Sequence, residues 1–282
     1  MKSNQLREGV WMAIKMVVTD LNGTLLNQAQ AYDRQWLQRL LTQMQQRQIY
    51  FVACSGNQYQ HLQQLFAGLQ APNLILVAEN GASIYAQQQQ IFSGALSPQR
   101  LTRFVSQDLA TPLLAKARTI LVGRQAAYTL AGAPKALLAA ARKFYDPLQE
   151  VANLTQVSDL INKISLAWDH GAPGQIVSQL NHYFKQELVA HDSGYGVIDV
   201  VRHDVGKLPA VQFLQQRWQI SPAETVVFGD GANDQPLLAA HDQSYAMRNA
   251  PAAVQHSAQQ VTAQDNEHSG VLATLAQLLG VH

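Results

Sequence analysis

Short apolar runs alternate with amphipathic stretches in the first 80 residues. The apolar runs cover 14–18, 49–53 and 74–78. Between them, apolar side chains recur at helical spacing from Trp36 to Met44, and a second helix is predicted over 58–69. Strands that alternate with helices in this way are typical of a parallel sheet covered on both faces.

The pattern changes after residue 86, and it indicates a second α/β unit inserted into the first. The polar run 87–90 is predicted to be a hairpin tip. Further elements are then predicted in this order: a helix from 97, strands over 119–122 and 127–130, a helix over 134–145, a strand over 163–168, a helix over 173–186 and a strand over 188–191. We therefore expect a first domain of residues 1–86 and 192–282, with residues 87–191 inserted.

The first pattern is predicted to resume with a strand over 197–201 and a helix over 205–218. Ser221-Pro222-Ala223-Glu224 is a capping box, and the buried strand that follows ends in GDGAND. Residues 1–11 have no clear pattern and are interpreted as an extension. The fold class predicted is a doubly wound parallel α/β sheet with an inserted α/β domain.

Composition narrows the class of protein. The chain has 282 residues, 47% hydrophobic and 14% charged, with a formal net charge of +1. There is no overall basic field, so we expect no nucleic acid and no anionic membrane as a partner. A single cysteine suits a reducing compartment. No apolar run reaches the roughly 18 residues of a membrane span, and the N-terminus does not resemble a signal peptide. We expect a cytoplasmic protein.

Four polar clusters follow predicted strands or begin predicted helices: Asp20 to Thr24, Ser55-Gly56, Lys207, and Asp230 to Asp234. Ligands of parallel α/β sheets bind beyond the carboxyl ends of the strands, so we expect these clusters to converge. The carboxylates of these clusters provide oxygen ligands, which Mg²⁺ prefers. A lysine, a serine hydroxyl and the amides near Gly23 could hold a phosphate. An aspartate beside a metal can attack phosphorus as a nucleophile.

Four motifs of the chain resemble those of the haloacid dehalogenase (HAD) superfamily. TDLNGTLL, ACSGN, the lysine of DVGK and GDGAND agree with them in order and type. The arrangement is similar to the Cof-type phosphatases of that superfamily, in which a large α/β cap lies between the second and third motifs. ENGASIY, YAMRNA and SGVLATL add to this resemblance. The resemblance implies a Rossmann-like HAD core, a cap over residues 87–191 and a phosphatase activity.

The resemblance also implies a role for each matching residue. Asp20 would be the nucleophile that forms an aspartyl-phosphate, and Ser55 and Lys207 would assist it. Mg²⁺ would be held through Asp20, the backbone carbonyl of Asn22, Asp230 and, through the surrounding shell, Asp234. Phosphate contacts are expected from Gly23, Thr24, Ser55, Gly56, Lys207 and Asn233. The substrate would be a small phosphorylated metabolite, such as a sugar phosphate, selected by the cap.

One residue departs from the family pattern. Family phosphatases carry, two positions after the nucleophile, an aspartate that transfers protons, and this chain has Asn22. An amide cannot exchange protons in that way, and such catalysis is typically worth about 10²–10⁴-fold. We therefore expect slow hydrolysis. Two alternatives stay open: a non-catalytic phosphometabolite-binding or regulatory protein, and transfer from an activated phosphate donor to water or another acceptor. A second departure is Asn57, where Cof-type proteins often have arginine.

Each residue taken singly also has an ordinary structural interpretation. Asp20 could form a turn and Ser55 could cap a helix. In the inserted domain, four residues are of a type that could meet a substrate, although none is assigned that role: Arg124, Lys163, His170 and His191. The sequence leaves the identity of the substrate and the oligomeric state open.

Overall fold

The computed structural model describes residues 14–169, 171–193 and 196–281. The predicted extension at 1–11 and the candidate His170 lie outside the described residues. In chain order the strands are β1 Met16–Thr19, β2 Tyr50–Cys54, β3 Leu74–Ala78, β4 Ser83–Ala86, β5 Gln89–Ser93, β6 Arg118–Gly123, β7 Ala127–Leu130, β8 Leu148–Val151, β9 Ile161–Ala167, β10 Leu188–Asp192, β11 Val197–Arg202, β12 Thr225–Gly229, β13 Gln243–Ala246 and β14 Gln260–Val261.

Within those ranges the strands form two sheets. The first has eight strands in the order β14-β13-β12-β1-β2-β3-β4-β5. From β14 to β3 all neighbours are parallel, and the hairpin β4–β5 adds two antiparallel strands at one edge. The predicted fold class, a parallel α/β sheet, is confirmed.

The α-helices that the structure describes are Arg34–Gln46, Tyr59–Phe66, Pro98–Ser106, Lys135–Ala141, Ile176–Phe184, Lys207–Trp218, Gln235–Ala239, Ala252–Gln255 and Gly270–Leu279. The helix at Arg34–Gln46 begins where the Asp33 side chain accepts a hydrogen bond from the Trp36 amide. Its apolar stripe is buried, as the spacing predicted: Leu37, Leu40, Leu41 and Met44. In the described part of the chain, no helix combines the length and apolarity of a membrane span.

Strand β1 lies at the centre of the first sheet, and all four of its residues are buried. A strand covered on both faces needs a continuous apolar run rather than an alternating one, which is what the sequence provides. β1 pairs with β2 on one side and with β12 on the other. The loops after these three strands therefore begin side by side.

The second sheet has six strands in the order β10-β11-β9-β6-β7-β8. Strand β11 was predicted to rejoin the first sheet, and this is wrong, because β11 pairs antiparallel with β10 and β9. Conversely, β5 pairs with β4 in the first sheet. The chain thus changes sheets after Ser93 and again after Arg202, rather than at the predicted boundaries 86/87 and 191/192. Apolar periodicity marks β11 as a strand but does not indicate which sheet it joins. The division into core and cap stays a prediction.

Loops of the second sheet contact the first sheet's helix at Tyr59–Phe66. Gln58 precedes this helix; its Nε2 donates to the Gly123 carbonyl at 3.4 Å and its Oε1 accepts from the Asp146 amide at 3.3 Å. Gln60 Nε2 donates to the Arg124 carbonyl at 2.6 Å. The second unit is therefore held against the carboxyl edge of the first sheet.

Candidate active site

The predicted polar clusters meet at one edge of the first sheet. Asp20 directly follows β1, Ser55 follows β2 and Asp230 follows β12, while Lys207 opens the helix Lys207–Trp218. A cavity of about 370 Å³ lies at this edge, between the two sheets. Seven of the predicted site residues line it: Asp20, Asn22, Gly23, Ser55, Gly56, Asp230 and Asn233. Thr24, Lys207 and Asp234 are buried beside the cavity instead.

Three carboxylates form a cluster at the floor of the cavity. Oxygen atoms of Asp20, Asp230 and Asp234 all lie within 4.8 Å of one another. The Asp20 amide is fixed by the Phe228 carbonyl at 3.0 Å. Asp234 Oδ2 accepts from the amides of Asp230 and Gly231, at 3.1 and 2.9 Å. The backbone of two neighbouring strand ends thus holds the cluster together before any ligand binds.

Lys207 supplies the positive charge that the cluster needs. Its Nζ donates to Asp20 Oδ1 at 2.5 Å and to Asp234 Oδ1 at 2.6 Å. Burial alone would lower the pKa of Lys207, but Asp20 and Asp234 raise it above its ordinary value. Burial raises the pKa of Asp20, and Asp234 and Asp230 add to this, while Lys207 opposes them. Lys207 therefore stays charged and limits the rise, and the net effect raises the pKa of Asp20 to about 7.

The donor set at the floor fits a hard divalent cation. It consists of carboxylate oxygens, and Mg²⁺ prefers oxygen ligands. Thr24 Oγ1 donates to Asp230 Oδ1 at 2.6 Å and fixes that carboxylate. Gly23 has φ of +81°, and a Cβ there would lie 2.2 Å from Asp230 Oδ2. The turn after β1 therefore requires glycine, both for its backbone angle and for the close approach of Asp230.

The loop after β2 presents a serine hydroxyl beside this cluster. Ser55 is buried, and its Oγ accepts from the Asn57 amide at 3.1 Å. The Ser55 carbonyl accepts from the Asn80 amide at 2.9 Å, and the Asn57 carbonyl accepts from the Glu79 amide at 3.0 Å. Accepting this bond does not use the Ser55 hydroxyl proton, which can be donated to a ligand oxygen in the cavity.

Asn22 contacts Asn57 rather than an ionisable group. Asn22 Nδ2 lies 3.4 Å from Asn57 Oδ1. Asn22 Oδ1 and Asn57 Nδ2 are buried and have no hydrogen-bond partner among the described residues. Both side chains line the cavity. Buried polar atoms normally have partners, so these two atoms mark a position where a ligand or water belongs.

The second sheet completes the cavity, and sequence analysis assigned none of these residues to the site. From this side it is lined by Phe144, Tyr145, Lys163, Ser193, Val197 and Asp199. Asp199 Oδ2 accepts from Asn80 Nδ2 at 2.9 Å, and Asn80 Oδ1 accepts from Asn233 Nδ2 at 3.3 Å. The sequence feature that could have identified Asp199 is its charge between the apolar pairs Val197-Ile198 and Val200-Val201 of β11.

A further buried acid, Glu79, lies behind the Ser55 loop. It accepts from the Tyr59 amide at 2.8 Å and is hydrogen-bonded to the Ser83 hydroxyl. Burial raises the pKa of Glu79 to about 7, although these hydrogen bonds and the charge of Lys163 lower it. This acid was also not identified from the sequence, where ENGAS has the character of a turn.

The sequence also matches known proteins. A family profile described as haloacid dehalogenase-like hydrolase matches residues 17–275. The chain is similar to the 5-amino-6-(5-phospho-D-ribitylamino)uracil phosphatase YbjI of Escherichia coli, with 32% identity over 95% of this chain and 97% of that protein.

Solved structures show the same likeness. SMU.1108c of Streptococcus mutans superposes with a TM-score of 0.88 and 30% identity, over 95% of this chain and 99% of that one. A phosphatase of the haloalkanoate superfamily from Bacteroides thetaiotaomicron has a TM-score of 0.77 at 20% identity, over 95% and 96%, which shows the shared fold.

Proposed function

The chain belongs to the haloacid dehalogenase-like hydrolase family and is a phosphatase of that family, and we propose that it hydrolyses a small phosphorylated metabolite through Asp20 with Mg²⁺. One observation carries this proposal. Asp20 lines the cavity beside Ser55, with a charged lysine at 2.5 Å and two further acids within 4.8 Å.

Mg²⁺ would be held by Asp20, the Asn22 carbonyl and Asp230, with Asp234 supporting them, and when bound it offsets the charge of the phosphate. A carboxylate oxygen of Asp20 attacks phosphorus, the new O–P bond forms, and the ester P–O bond breaks to release the alcohol oxygen. In the second step water attacks the aspartyl-phosphate, which releases inorganic phosphate and restores Asp20.

Lys207 and Ser55 assist both steps. Lys207 is bonded to Asp20 and orients the carboxylate. The Ser55 hydroxyl donates to a phosphoryl oxygen, and the amides of Gly23 and Gly56 with the Asn233 side chain would form the rest of the phosphate site. The Thr24 amide, also expected there, instead donates to the Leu21 carbonyl at 3.1 Å. These groups sit in a mostly buried edge, where hydrogen bonds to developing charge are strong.

The site lacks a proton-transfer group at residue 22. The leaving oxygen needs a proton in the first step, and the attacking water must lose one in the second. Asn22 can orient water through Oδ1 but cannot exchange a proton. Water must therefore supply and accept these protons, and turnover is slow by about 10²–10⁴-fold for ordinary esters. Substrates with good leaving groups are affected less in the first step.

The cavity and a relative support the proposed substrate class. A space of about 370 Å³ closed by aromatic and polar side chains admits a phosphorylated sugar or polyol rather than a protein segment. The E. coli relative acts, by its name, on a phosphoribityl compound. We propose that the unit built on the second sheet is the cap that selects this substrate.

A second function is supported by Asn22 itself. A protein that binds a phosphorylated metabolite without converting it needs the same phosphate site and cation but no proton-transfer group. Phosphate release from p-nitrophenyl phosphate and a sugar-phosphate panel separates the two, with wild type, Asn22→Asp and Asp20→Asn compared. Turnover by wild type that Asp20→Asn abolishes supports the enzyme. Binding without turnover supports the binding protein.

A further inference from the structure

Lys163 and Asp199 form a buried ion pair on the face of the second sheet that covers the cavity. Asp199 lies opposite Ser165 on the neighbouring strand, and Lys163 is two residues from Ser165, so all three side chains are on one face. Lys163 is 2% exposed and Asp199 is 1% exposed. Lys163 Nζ donates to Asp199 Oδ2 at 2.8 Å.

Both residues of the ion pair form hydrogen bonds with loops of the first sheet. Asp199 accepts hydrogen bonds from Ser165 Oγ at 2.5 Å and Ser193 Oγ at 2.6 Å on its own side, and from Asn80 Nδ2 at 2.9 Å on the other. Removing two charges from water is costly, and a buried ion pair is weak evidence for stability. The more informative feature is what else the lysine contacts.

The second hydrogen bond of Lys163 goes to the loop that follows β2. Its Nζ donates to the Gly56 carbonyl at 2.8 Å. That carbonyl and the Asn57 N–H belong to one planar trans peptide unit and point to opposite sides. The Asn57 N–H donates to Ser55 Oγ. Fixing the Gly56 carbonyl therefore also fixes the hydrogen bond that holds Ser55 Oγ in place, and the Ser55 hydroxyl proton can be donated to a ligand.

We propose that Lys163, held by Asp199, is a positioning residue that presents the Ser55 hydroxyl to the phosphoryl group. This inference rests on the proposed function, since it assumes that phosphate binds at Ser55. Its consequence is that the phosphate site is complete only while the second sheet lies against the first. Lys163 acts through the Gly56 peptide and does not itself contact the phosphate.

A double-mutant cycle tests the route through Ser55. Lys163→Met with Asp199→Asn removes both charges together and so avoids leaving one buried and unpaired. Binding of inorganic phosphate in the presence of Mg²⁺ is measured by calorimetry, which needs no turnover, in four proteins: wild type, Ser55→Ala, the charge-pair variant and their combination. Circular dichroism checks that each is folded.

We expect the charge-pair variant to bind phosphate about 10- to 100-fold more weakly than wild type, as for the loss of a hydrogen bond to a charged group. In the Ser55→Ala background the same change should weaken binding less than about twofold. The same loss in both backgrounds overturns the inference and leaves the proposed function intact. Failure of wild type to bind phosphate overturns the proposed function as well.

Two further variants serve as controls for the Gly56 hydrogen bond and for folding. Asp199→Asn alone keeps Lys163 able to donate to Gly56, so it should weaken phosphate binding less than the charge-pair variant does. If the methionine version does not fold, Lys163→Leu with Asp199→Asn replaces it in the same cycle, because leucine also lacks a donor for the Gly56 carbonyl and has a different shape in that buried position. Equal losses for Asp199→Asn and for the folded charge-pair version contradict a role for the Gly56 bond.

Discussion

Asn22 Nδ2 lies 3.4 Å from Asn57 Oδ1, so two amides meet at the position where the family pattern has a proton-transferring acid. The other polar atom of each amide is buried and lacks a partner among the described residues. Turning the Asn57 amide over would direct its Nδ2 toward Asn22, and the two orientations are alike in shape. Residue 57 is therefore ready to donate to a carboxylate at position 22.

Asn22→Asp should raise the turnover of p-nitrophenyl phosphate and sugar phosphates. The gain expected is about 10²–10⁴-fold in kcat, because the new carboxyl group can give a proton to the leaving oxygen and take one from water. Sugar phosphates should gain more than p-nitrophenyl phosphate, whose leaving group needs little protonation. Steady-state phosphate release measures both.

Asn22→Asp combined with Asp20→Asn is the control for that gain, and it should be inactive. Unchanged turnover in Asn22→Asp would mean that proton transfer does not limit the wild-type protein and that its acid comes from elsewhere.

Gly23→Ala should remove the effect of Mg²⁺ on stability. A Cβ at residue 23 would lie 2.2 Å from Asp230 Oδ2 and displace that carboxylate. A cation that binds only the folded wild type stabilises it by about 2.7 kcal/mol at a hundredfold excess over Kd. The variant should gain much less, as measured by thermal unfolding with and without Mg²⁺.

Gly132→Ala is the matched control for this substitution. Gly132 has φ of +84°, close to the +81° of Gly23, but a Cβ there meets nothing within 4 Å. It should show a similar cost for the left-handed backbone and keep the full Mg²⁺ effect. Equal Mg²⁺ effects in both alanine variants would show that Asp230 does not bind the cation.

Glu79→Gln should make the protein more stable at neutral and higher pH. The pKa of Glu79 rises on folding from 4.5 to about 7, so the folded state binds more protons between these values. Stability therefore falls as the pH rises through this window, by on the order of 3 kcal/mol, and stays lower above it. Glutamine can still accept from the Tyr59 amide and donate to the Ser83 hydroxyl without titrating.

Urea unfolding at several pH values compares the two proteins. The difference in unfolding free energy should be largest near pH 8 and should shrink as the pH falls below the ordinary pKa of 4.5, where Glu79 is protonated in both states. A difference that does not change with pH would mean that Glu79 keeps an ordinary pKa in the folded protein.

Lys207→Met should destabilise the protein by about 3–5 kcal/mol, because it leaves Asp20 and Asp234 buried without a countercharge. Urea unfolding at neutral pH measures this, and phosphate release should be lost as well. Lys143→Met removes a lysine that is exposed, and such surface changes usually stay within about 0.5 kcal/mol. Similar values for the two variants would contradict the ion-pair role of Lys207.

The sequence predicted the first sheet well because its strands are continuous apolar runs, as in β1, and because polar motifs follow them directly. It also predicted that Asp20, Ser55 and Asp230 converge, since parallel strands share one carboxyl edge. Strand β8 was missed because its sequence, LQEV, is half polar and partly exposed. The sheet to which β11 belongs depends on pairing between distant segments, which apolar periodicity does not encode.

The second-sheet side of the site was not predictable in the same way. Lys163 and Asp199 are far apart in sequence, and their partners Gly56 and Asn80 belong to the other sheet. These four residues come together only when the two sheets pack against each other. Lys163 was named from the sequence but given no role, and Asp199 was not named. A charge within an apolar strand is the feature that could have identified both, since it needs a buried partner.

The place of β1 between β2 and β12 has a consequence for protein synthesis. Asp20 is synthesised early, and strand β2 follows soon after it. Asp230 and β12 are synthesised about 200 residues later. At about 5–20 residues per second, the growing chain carries half of its active site for roughly 10 to 40 seconds. During that time one edge of β1 has no strand beside it, and such an edge is open to pairing with other chains. A nascent or truncated chain that lacks β12 is therefore both inactive and prone to aggregate.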